Sequence, residues 1–168
     1  MQGGCGRTEE ESVQMTEDYR EYYSEKGIFE NSVYDGVPKM LERLRTSGVR
    51  VLMATAKPEY YARIIADHFD FAKYFEFIGG ACMDGRRNDK HEVIEYVIET
   101  CGVSHEDRER TIMIGDRSND MIGAGKSGIH SLGVLYGYGS REELEGAGAQ
   151  TLAETPGKVA DLILDLNL

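Results

Sequence analysis

Short apolar stretches that alternate with amphipathic helices of about ten residues constrain the fold of this chain more than any other feature. The first helix begins near Val37, keeps apolar residues at helical spacing as far as Leu44, and ends at Gly48. Strands are predicted at residues 50–54, 75–80, 111–114, 131–135 and 150–152. The other helices are predicted to begin at Pro58, Lys90, Ser118, residue 140 and residue 156. Parallel strands need crossovers of this length, so the sequence predicts an α/β fold with a doubly wound parallel sheet.

The chain is acidic, with a formal net charge of −11 at pH 7 over its 168 residues. This charge argues against a nucleic-acid partner, because a phosphate backbone attracts a basic surface. A small phosphorylated metabolite is compatible with the charge only if a lysine or a metal ion supplies a local positive charge.

The cysteines and the apolar runs indicate the compartment. Cys5, Cys82 and Cys101 are odd in number and form no C-x-x-C pair, so neither a zinc site nor a disulfide framework is indicated. No apolar run approaches the roughly 20 residues of a membrane span, and the first residues lack the apolar core of a secretory signal. The sequence therefore predicts a cytoplasmic protein that does not bind membranes.

Two carboxylates follow the third predicted strand, in the stretch TIMIGDRSND at residues 111–120. In parallel sheets ligands bind beyond the carboxyl ends of the strands, where Asp116 and Asp120 would lie. Two interpretations are open. Asp116 or Ser118 could cap the next helix, with Asp120 favoured in its first turn by the helix dipole. Alternatively, the two aspartates could hold a hard octahedral cation such as Mg²⁺, which takes one or two carboxylates with water and phosphate oxygens.

Two further polar residues stand at comparable positions. Thr55 ends the predicted strand in VLMATAKPE, where its hydroxyl and the backbone N–H of Ala56 could hold a phosphate. The alternative is that Thr55 only caps a helix. Lys90 begins the helix in NDKHEVIEY, where a cation is unfavourable by a few tenths of a kcal/mol. A lysine at that position indicates an anionic partner, although a solvated lysine would also explain it.

Two other motifs lack the context that their functions need. The stretch GAGKSG at 123–128 resembles nucleotide-binding loops, but Asp120 stands where a P-loop needs glycine, and the glycines end a helix. The stretch HEVIEY begins like a zinc-protease helix but lacks the second histidine. Neither a nucleotide cradle nor a zinc site is therefore predicted.

Taken in order, Thr55, Lys90 and GDRSND resemble motifs two, three and four of the haloacid dehalogenase superfamily. The stretches YDGVPKMLERL, ATAKPE, IGGACMDGRR, KHEVIEYVI and GVLYGYGSREEL resemble its phosphoglycolate-phosphatase-like branch, over roughly residues 19–168. The resemblance implies a Rossmann-like core and a Mg²⁺-dependent hydrolase of phosphate monoesters, acting on a small phosphorylated metabolite.

The resemblance also implies a role for each matching residue. Thr55 would hold the transferring phosphoryl group together with the N–H of Ala56, and Lys90 would neutralise its charge. Asp116, supported by Asp120, would hold the metal. Catalysis would then consist of positioning and electrostatic stabilisation.

The chain departs from the family in one respect. The family's nucleophile is the first aspartate of an Asp-x-Asp-Gly-Thr stretch that ends the first strand, and no Asp-x-Asp occurs in this sequence. That strand lies at the centre of the family's sheet, between the strands that end here at Thr55 and Gly115. We therefore expect a core that lacks its first, central strand. Residues 8–26 resemble a remnant of the helical cap, which gives a tail and cap segment at 1–34 and a core domain at 35–168.

Two expectations follow from the missing strand. The chain should be poorly stable, or should bring the strands ending at Thr55 and Gly115 together, since each unsatisfied polar group on a buried edge costs roughly 1–3 kcal/mol. Self-association through unpaired strands is a related expectation.

Two functional hypotheses remain open from the sequence. The chain could be a truncated phosphatase that is inactive alone, or a non-catalytic phosphate- or Mg²⁺-binding sensor or partner protein derived from the same fold. The substrate stays open among nucleotides, phosphoglycolate and pyrophosphate.

Overall fold

The computed structural model describes residues 32–166, in which strands and helices alternate along the chain. The strands are β1 (Leu52–Pro58), β2 (Phe77–Ala81), β3 (Ile112–Gly115), β4 (His130–Val134) and β5 (Thr151–Ala153). The α-helices are α1 (Val37–Thr46), α2 (Glu59–His68), α3 (Lys90–Thr100), α4 (Ser118–Lys126), α5 (Arg141–Gly146) and α6 (Pro156–Asp165). The predicted cap segment at 8–26 lies outside the described residues.

The predicted order of strands and helices is confirmed, with small differences at the ends of elements. Pro58 does not open α2; its extended backbone, with φ −52° and ψ 131°, makes it the residue before the helix. Two 3-10 helices, Ala72–Tyr74 and Glu106–Arg110, were not predicted, because such short turns carry no hydrophobic period. None of the helices within residues 32–166 is long and apolar enough to cross a membrane.

The strands form two parallel sheets within the described part of the chain. β1 pairs with β2, and β3, β4 and β5 pair in that order. β1 and β3 do not pair with each other. The expectation that these two strands would come together is therefore wrong for residues 32–166.

Helices cover both faces of the strands, as the doubly wound prediction requires. On one face α1 and α6 pack over β4, through a cluster that includes Met40, Leu44, Leu132, Val134 and Val159. On the other face α3 and α4 form a second cluster of Ile94, Ile98, Ala124 and Ile129. The N-termini of α3 and α4 lie at the carboxyl ends of β1 and β3: Lys90 at the start of α3 reaches Ala54 in β1, and α4 begins just after β3.

Candidate active site

Lys90 is fixed in place by the start of α3. The carboxylate of Asp89 accepts a hydrogen bond from the backbone N–H of His91 (2.8 Å), and Glu92 accepts one from the N–H of Asp89 (3.1 Å). The Asp89 side chain also accepts from the backbone N–H of Glu92, and this bond with the Glu92–Asp89 bond forms a capping box, which satisfies donors that a helix N-terminus otherwise leaves free. The helix therefore begins at Lys90 and directs this residue to the edge of the sheet.

The ammonium group of Lys90 joins three elements of the fold. Nζ lies 2.8 Å from Oδ1 of Asp120, and both side chains are only 8% exposed. Nζ also donates to the carbonyl oxygen of Ala54 in β1 (3.0 Å). The anionic partner that the sequence indicated for Lys90 is thus, within this chain, Asp120.

Asp120 also organises the turn after β3. Its Oδ2 accepts hydrogen bonds from the backbone N–H groups of Asp116 and Arg117, each at 3.1 Å. A side chain on Gly115 would overlap the Asp120 carboxylate, so this close approach needs glycine. Asp120 therefore lies in the first turn of α4, as the capping interpretation expected, but the residue before the helix is Arg117, so neither Asp116 nor Ser118 caps it.

Asp116 faces the loop that follows β4. Its Oδ2 accepts from the N–H of Tyr138 (2.9 Å), and its carbonyl oxygen accepts from the N–H of Gly139 (2.9 Å). Side chains on Gly137 or Gly139 would overlap Asp116. Oδ1 of Asp116 takes no hydrogen bond from residues 32–166. The Tyr-Gly-Tyr-Gly run was the sequence signal for this contact, and sequence reasoning missed it.

Thr55 lies where β1 departs from regular pairing with β2. It stands opposite Gly80, and the register then shifts before Pro58 pairs with Ala81. The Thr55 hydroxyl accepts from the backbone N–H of Lys57 (3.2 Å), and Ala56 is exposed. Because α2 begins only at Glu59, Thr55 does not cap that helix.

A second set of contacts supports the Thr55 turn, and the sequence did not reveal it. The Arg87 guanidinium donates to the carbonyl oxygen of Gly80 (2.9 Å) and stacks 3.5 Å from the centre of the Tyr96 ring. It also pairs with Glu59, the first residue of α2 (3.4 Å). Arg87 therefore ties the loop before α3 to the chain that follows Thr55.

Tyr136 is a neutral neighbour of Asp116. Burial, with a further contribution from the negative charge of Asp116, raises the pKa of Tyr136 to about 12. Its ring packs edge-on against Tyr34, with 5.5 Å between ring centres. The phenol therefore stays protonated near neutral pH and adds no negative charge beside Asp116.

Asp116 and Asp120 differ in how well they fit Mg²⁺. No group of three or more His, Cys, Asp or Glu side chains suited to a metal ion occurs among residues 32–166. Mg²⁺ typically takes only one or two protein carboxylates, and completes its octahedron with water and phosphate oxygens. Asp116, whose Oδ1 takes no hydrogen bond from residues 32–166, fits the role of a carboxylate ligand to Mg²⁺. Asp120 already accepts from Lys90 and from two backbone N–H groups. It therefore fits the role of a residue that positions Asp116 and does not itself bind the metal.

Thr55, Lys90, Asp116 and Asp120 meet at one edge of the fold, linked through Ala54 and the turn after β3. This places the protein in the class of parallel α/β domains whose site lies beyond the carboxyl ends of the strands. Residues 6–128 match the family model for haloacid dehalogenase-like hydrolases. The chain belongs to this family, and the resemblance to its phosphoglycolate-phosphatase-like branch is confirmed.

Several known proteins are similar to the chain. A 5'-nucleotidase of Pseudomonas aeruginosa is 42% identical over 126 residues, which cover 75% of this chain and 56% of that protein. Tyrosine-protein kinase PtkA of Mycobacterium tuberculosis is 39% identical over 142 residues, covering 84% and 47%. Phosphoglycolate phosphatase 1 of Pseudomonas aeruginosa is 28% identical over 162 residues, covering 96% and 55%. The chain thus spans about half the length of these relatives.

A solved structure has the same fold. The crystal structure of a predicted phosphatase from Clostridium acetobutylicum superposes with a TM-score of 0.86 at 40% identity, covering 95% of this chain and 72% of that one. This similarity agrees with the assignment of the chain to the haloacid dehalogenase-like hydrolase family.

Proposed function

We propose that the domain belongs to a cytoplasmic, Mg²⁺-dependent hydrolase of phosphate monoesters that acts on a small phosphorylated metabolite. The convergence of Lys90 with Asp120 and the end of β1 supports this proposal most directly. A buried ammonium group beside the end of β1 and the turn after β3 can stabilise a dianionic phosphoryl group. The similarity to a 5'-nucleotidase and to phosphoglycolate phosphatase 1 is consistent with this proposal.

Each residue has a stated task in this proposal. The hydroxyl of Thr55 and the N–H of Ala56 bind the phosphoryl oxygens, and Lys90 balances their negative charge. Asp120 holds Lys90 and the Asp116 turn in position through the hydrogen bonds described above. Mg²⁺, when bound through Asp116, would supply a further positive charge at the phosphoryl oxygens.

In this proposal the catalytic site is incomplete, because residues 1–168 lack the nucleophile. The sequence holds no Asp-x-Asp, so the covalent aspartyl-phosphate route is closed to this chain alone. We propose that the core lacks the central strand that would carry this nucleophile, and that the chain is inactive by itself. The burial of the strands supports this: β1 and β3 are only partly buried, whereas β2 and β4 are mostly buried.

The second candidate is a non-catalytic protein that binds phosphate or Mg²⁺ through the same residues. The absence of Asp-x-Asp favours it, because ligand binding needs Thr55, Lys90 and Asp116 but no nucleophile. Turnover separates the two candidates once a nucleophile is supplied.

Phosphate binding tests the assignment of the site. We expect inorganic phosphate to bind the chain in the presence of Mg²⁺, measured by isothermal titration calorimetry, and Thr55→Val to weaken binding about tenfold, or ~1.4 kcal/mol. Thr151→Val, in the exposed part of β5, is the matched control and should bind as the unmodified chain does. Absence of phosphate binding, or equal binding by Thr55→Val, would contradict the proposed site.

A further inference from the structure

The backbone after Thr55 leaves the regular ladder between β1 and β2. Pairing is regular up to Thr55, and the register shifts before pairing resumes at Pro58. Ala56 and Lys57 therefore lie outside the regular ladder, and both are exposed. Residues 55–57 are here named the Thr55 turn. Strand pairing alone does not fix the conformation of this turn, although the proposed function needs its hydroxyl and its N–H in one position.

The chain that leaves the Thr55 turn passes directly over Gly80 of β2. A β-carbon on Gly80 would lie 2.5 Å from the carbonyl oxygen of Lys57 and 2.7 Å from both the nitrogen and the Cα of Glu59. Only glycine permits so close an approach of two backbones. The N–H of Gly80 also donates to Oε2 of Glu59 (3.4 Å). Glu59 therefore bonds β2 at the point where the turn joins α2.

Two guanidinium groups hold the Glu59 carboxylate from opposite oxygens. Its Oε2 pairs with Arg87 at 3.4 Å, and its Oε1 pairs with Arg63, one turn later in α2, at 3.0 Å. Arg87 also donates to the carbonyl oxygen of Gly80 (2.9 Å). Both side chains of the Arg87–Glu59 pair are mostly buried, so solvent screens this pair less than it screens a surface ion pair. Arg87 therefore binds both partners of the contact between β2 and α2.

Two aromatic side chains close these ion pairs into a continuous network. Arg87 stacks 3.5 Å from the centre of the Tyr96 ring in α3. Tyr96 packs edge-on against Phe77 of β2, with 5.6 Å between ring centres, and Arg63 lies 5.4 Å from the centre of Phe77. Each of these side chains contacts two others, and Glu59 completes the circuit. The network therefore fixes Glu59 relative to both β2 and α3.

The loop before α3 contacts the chain on both sides of Thr55. Lys90, the first residue of α3, donates to the carbonyl oxygen of Ala54, just before Thr55. Arg87, three residues before Lys90, pairs with Glu59 beyond the turn. The ammonium group proposed to balance the phosphoryl charge and the guanidinium that holds the turn therefore belong to one short loop.

We propose that Arg87 is a positioning residue, which acts with Glu59 to hold the Thr55 turn in its binding conformation beside Lys90. Arg87 does not touch the phosphoryl group, because its guanidinium binds Gly80 and Glu59. Holding a hydroxyl and an N–H in place before the ligand arrives lowers the ordering cost of binding. The proposal rests on the proposed function only for what the turn binds; the holding of the turn is a property of the chain without ligand.

Amide exchange in the unliganded chain tests the positioning role. The Lys57 amide donates to the Thr55 hydroxyl, and we expect Arg87→Met to speed its exchange by about fivefold or more, measured by NMR. Arg108→Met is the matched control, because Arg108 pairs with Glu95 and bonds a backbone carbonyl with side chains similarly exposed (24% and 25%, against 19% and 24%). An unchanged Lys57 rate in Arg87→Met, or equal acceleration in Arg108→Met, would overturn the proposal.

Phosphate binding tests the consequence for the site. With inorganic phosphate and Mg²⁺ in isothermal titration calorimetry, Arg87→Met should bind about tenfold more weakly, whereas Arg108→Met should bind as the unmodified chain does. Combined with Thr55→Val, the Arg87→Met loss should stay well short of the roughly hundredfold product of two independent losses, because both substitutions act on the same turn. A full product would show that Arg87 acts independently of Thr55, and would overturn the proposal.

Two milder variants separate position from charge. Arg87→Lys keeps the positive charge but loses the planar group that stacks on Tyr96 and bonds two partners, so it should still bind phosphate weakly. Glu59→Gln keeps the side-chain shape and should speed Lys57 exchange less than Arg87→Met does. Full phosphate binding by Arg87→Lys, or an unchanged Lys57 rate in Glu59→Gln, would overturn the proposal.

The two readouts also separate this proposal from the proposed function. If the unmodified chain binds no phosphate while Arg87→Met alone speeds Lys57 exchange, the positioning of the turn is supported and the proposed function is contradicted. If the unmodified chain binds phosphate and Arg87→Met binds it equally well, the proposed function stands and the positioning role is overturned.

Discussion

At Lys90 an unfavourable interaction with the helix dipole is offset by an ion pair with Asp120. A lysine at the first position of a helix is disfavoured by the helix dipole. Here the carboxylate of Asp120, at 2.8 Å, offsets that penalty in a place where both side chains are almost fully buried. The pair also spans from α3 to α4, so the lysine proposed to bind phosphate has a structural role as well.

The first prediction concerns this pair. Lys90→Met leaves the Asp120 charge buried without its cation, and should lower the free energy of unfolding by about 3–5 kcal/mol. Lys126→Met is the control, because its pair with Asp89 is half-exposed at 3.7 Å and should contribute less than about 1 kcal/mol. Urea denaturation measures both. Equal losses in the two variants would contradict the structural role of Lys90.

The second prediction concerns the glycines that face Asp116. Gly137→Ala would place a β-carbon on the Asp116 side chain, and should cost about 1–3 kcal/mol and weaken phosphate binding. Gly125→Ala, in α4, meets nothing within 4 Å and should stabilise the chain by about 0.5–1 kcal/mol. Thermal denaturation measures the two changes. Stabilisation by Gly137→Ala would show that Asp116 does not need this close contact.

At the scale of elements, the features that the sequence predicted correctly are the helix ends, which local residue patterns determine. α4 and α6 begin and end at the predicted residues, because apolar spacing and the residues at their starts define them. The capping box that begins α3 at Lys90 is likewise local. The bond from Tyr138 to Asp116 joins residues 22 apart, and no local pattern encodes it. The same applies to Arg87, whose contacts depend on how β2 meets α2.

The third prediction concerns the link between α3 and the 3-10 helix before β3. The Arg108 guanidinium, which donates twice to Glu95 at 2.8 Å, lowers the pKa of Glu95 below its ordinary value of 4.5. A lowered folded-state pKa stabilises the protein above the unfolded pKa, and this stability is lost as the pH falls through the folded pKa. Stability should therefore decrease from about pH 5 downward, in part through Glu95.

Glu95→Gln isolates this contribution. The variant should be less stable at pH 7 and should lose less further stability between about pH 5 and pH 3 than the unmodified chain. Glu109→Gln, an exposed carboxylate in the 3-10 helix that carries Arg108, is the control. Urea midpoints across this pH range provide the measurement. An unchanged acid slope in Glu95→Gln would refute the assignment.

At the scale of the whole molecule, the two sheets are held together by helices and by a polar bridge at their carboxyl ends. Lys90 bridges them at the carboxyl edge. At the amino end Arg50 joins only the β1–β2 sheet to α3: it pairs with Glu76 before β2 (2.6 Å) and donates to the carbonyl of Cys101 at the end of α3 (2.8 Å). The absent motif predicts that a strand is missing between β1 and β3, and within residues 32–166 these two strands do not pair with each other. The Lys90 bridge was not predictable, because Lys90 lies 36 residues from Ala54 and no local pattern encodes their contact.

The fourth prediction follows from this open arrangement. The chain alone should unfold with low cooperativity, and the amides of β1 and β3 should exchange faster than those of β2 and β4. Calorimetry and native-state hydrogen exchange measure the two properties. A sharp cooperative transition with full protection of β1 and β3 would contradict a core that lacks its central strand.

Phosphate release tests the proposed function most directly. The purified chain is incubated with Mg²⁺ and either p-nitrophenyl phosphate or phosphoglycolate, beside an Asp116→Ala control. Because the nucleophile is absent, we expect no release above that of Asp116→Ala. Robust turnover by the unmodified chain, abolished by Asp116→Ala, would contradict the proposal that residues 1–168 hold a phosphatase site without its nucleophile.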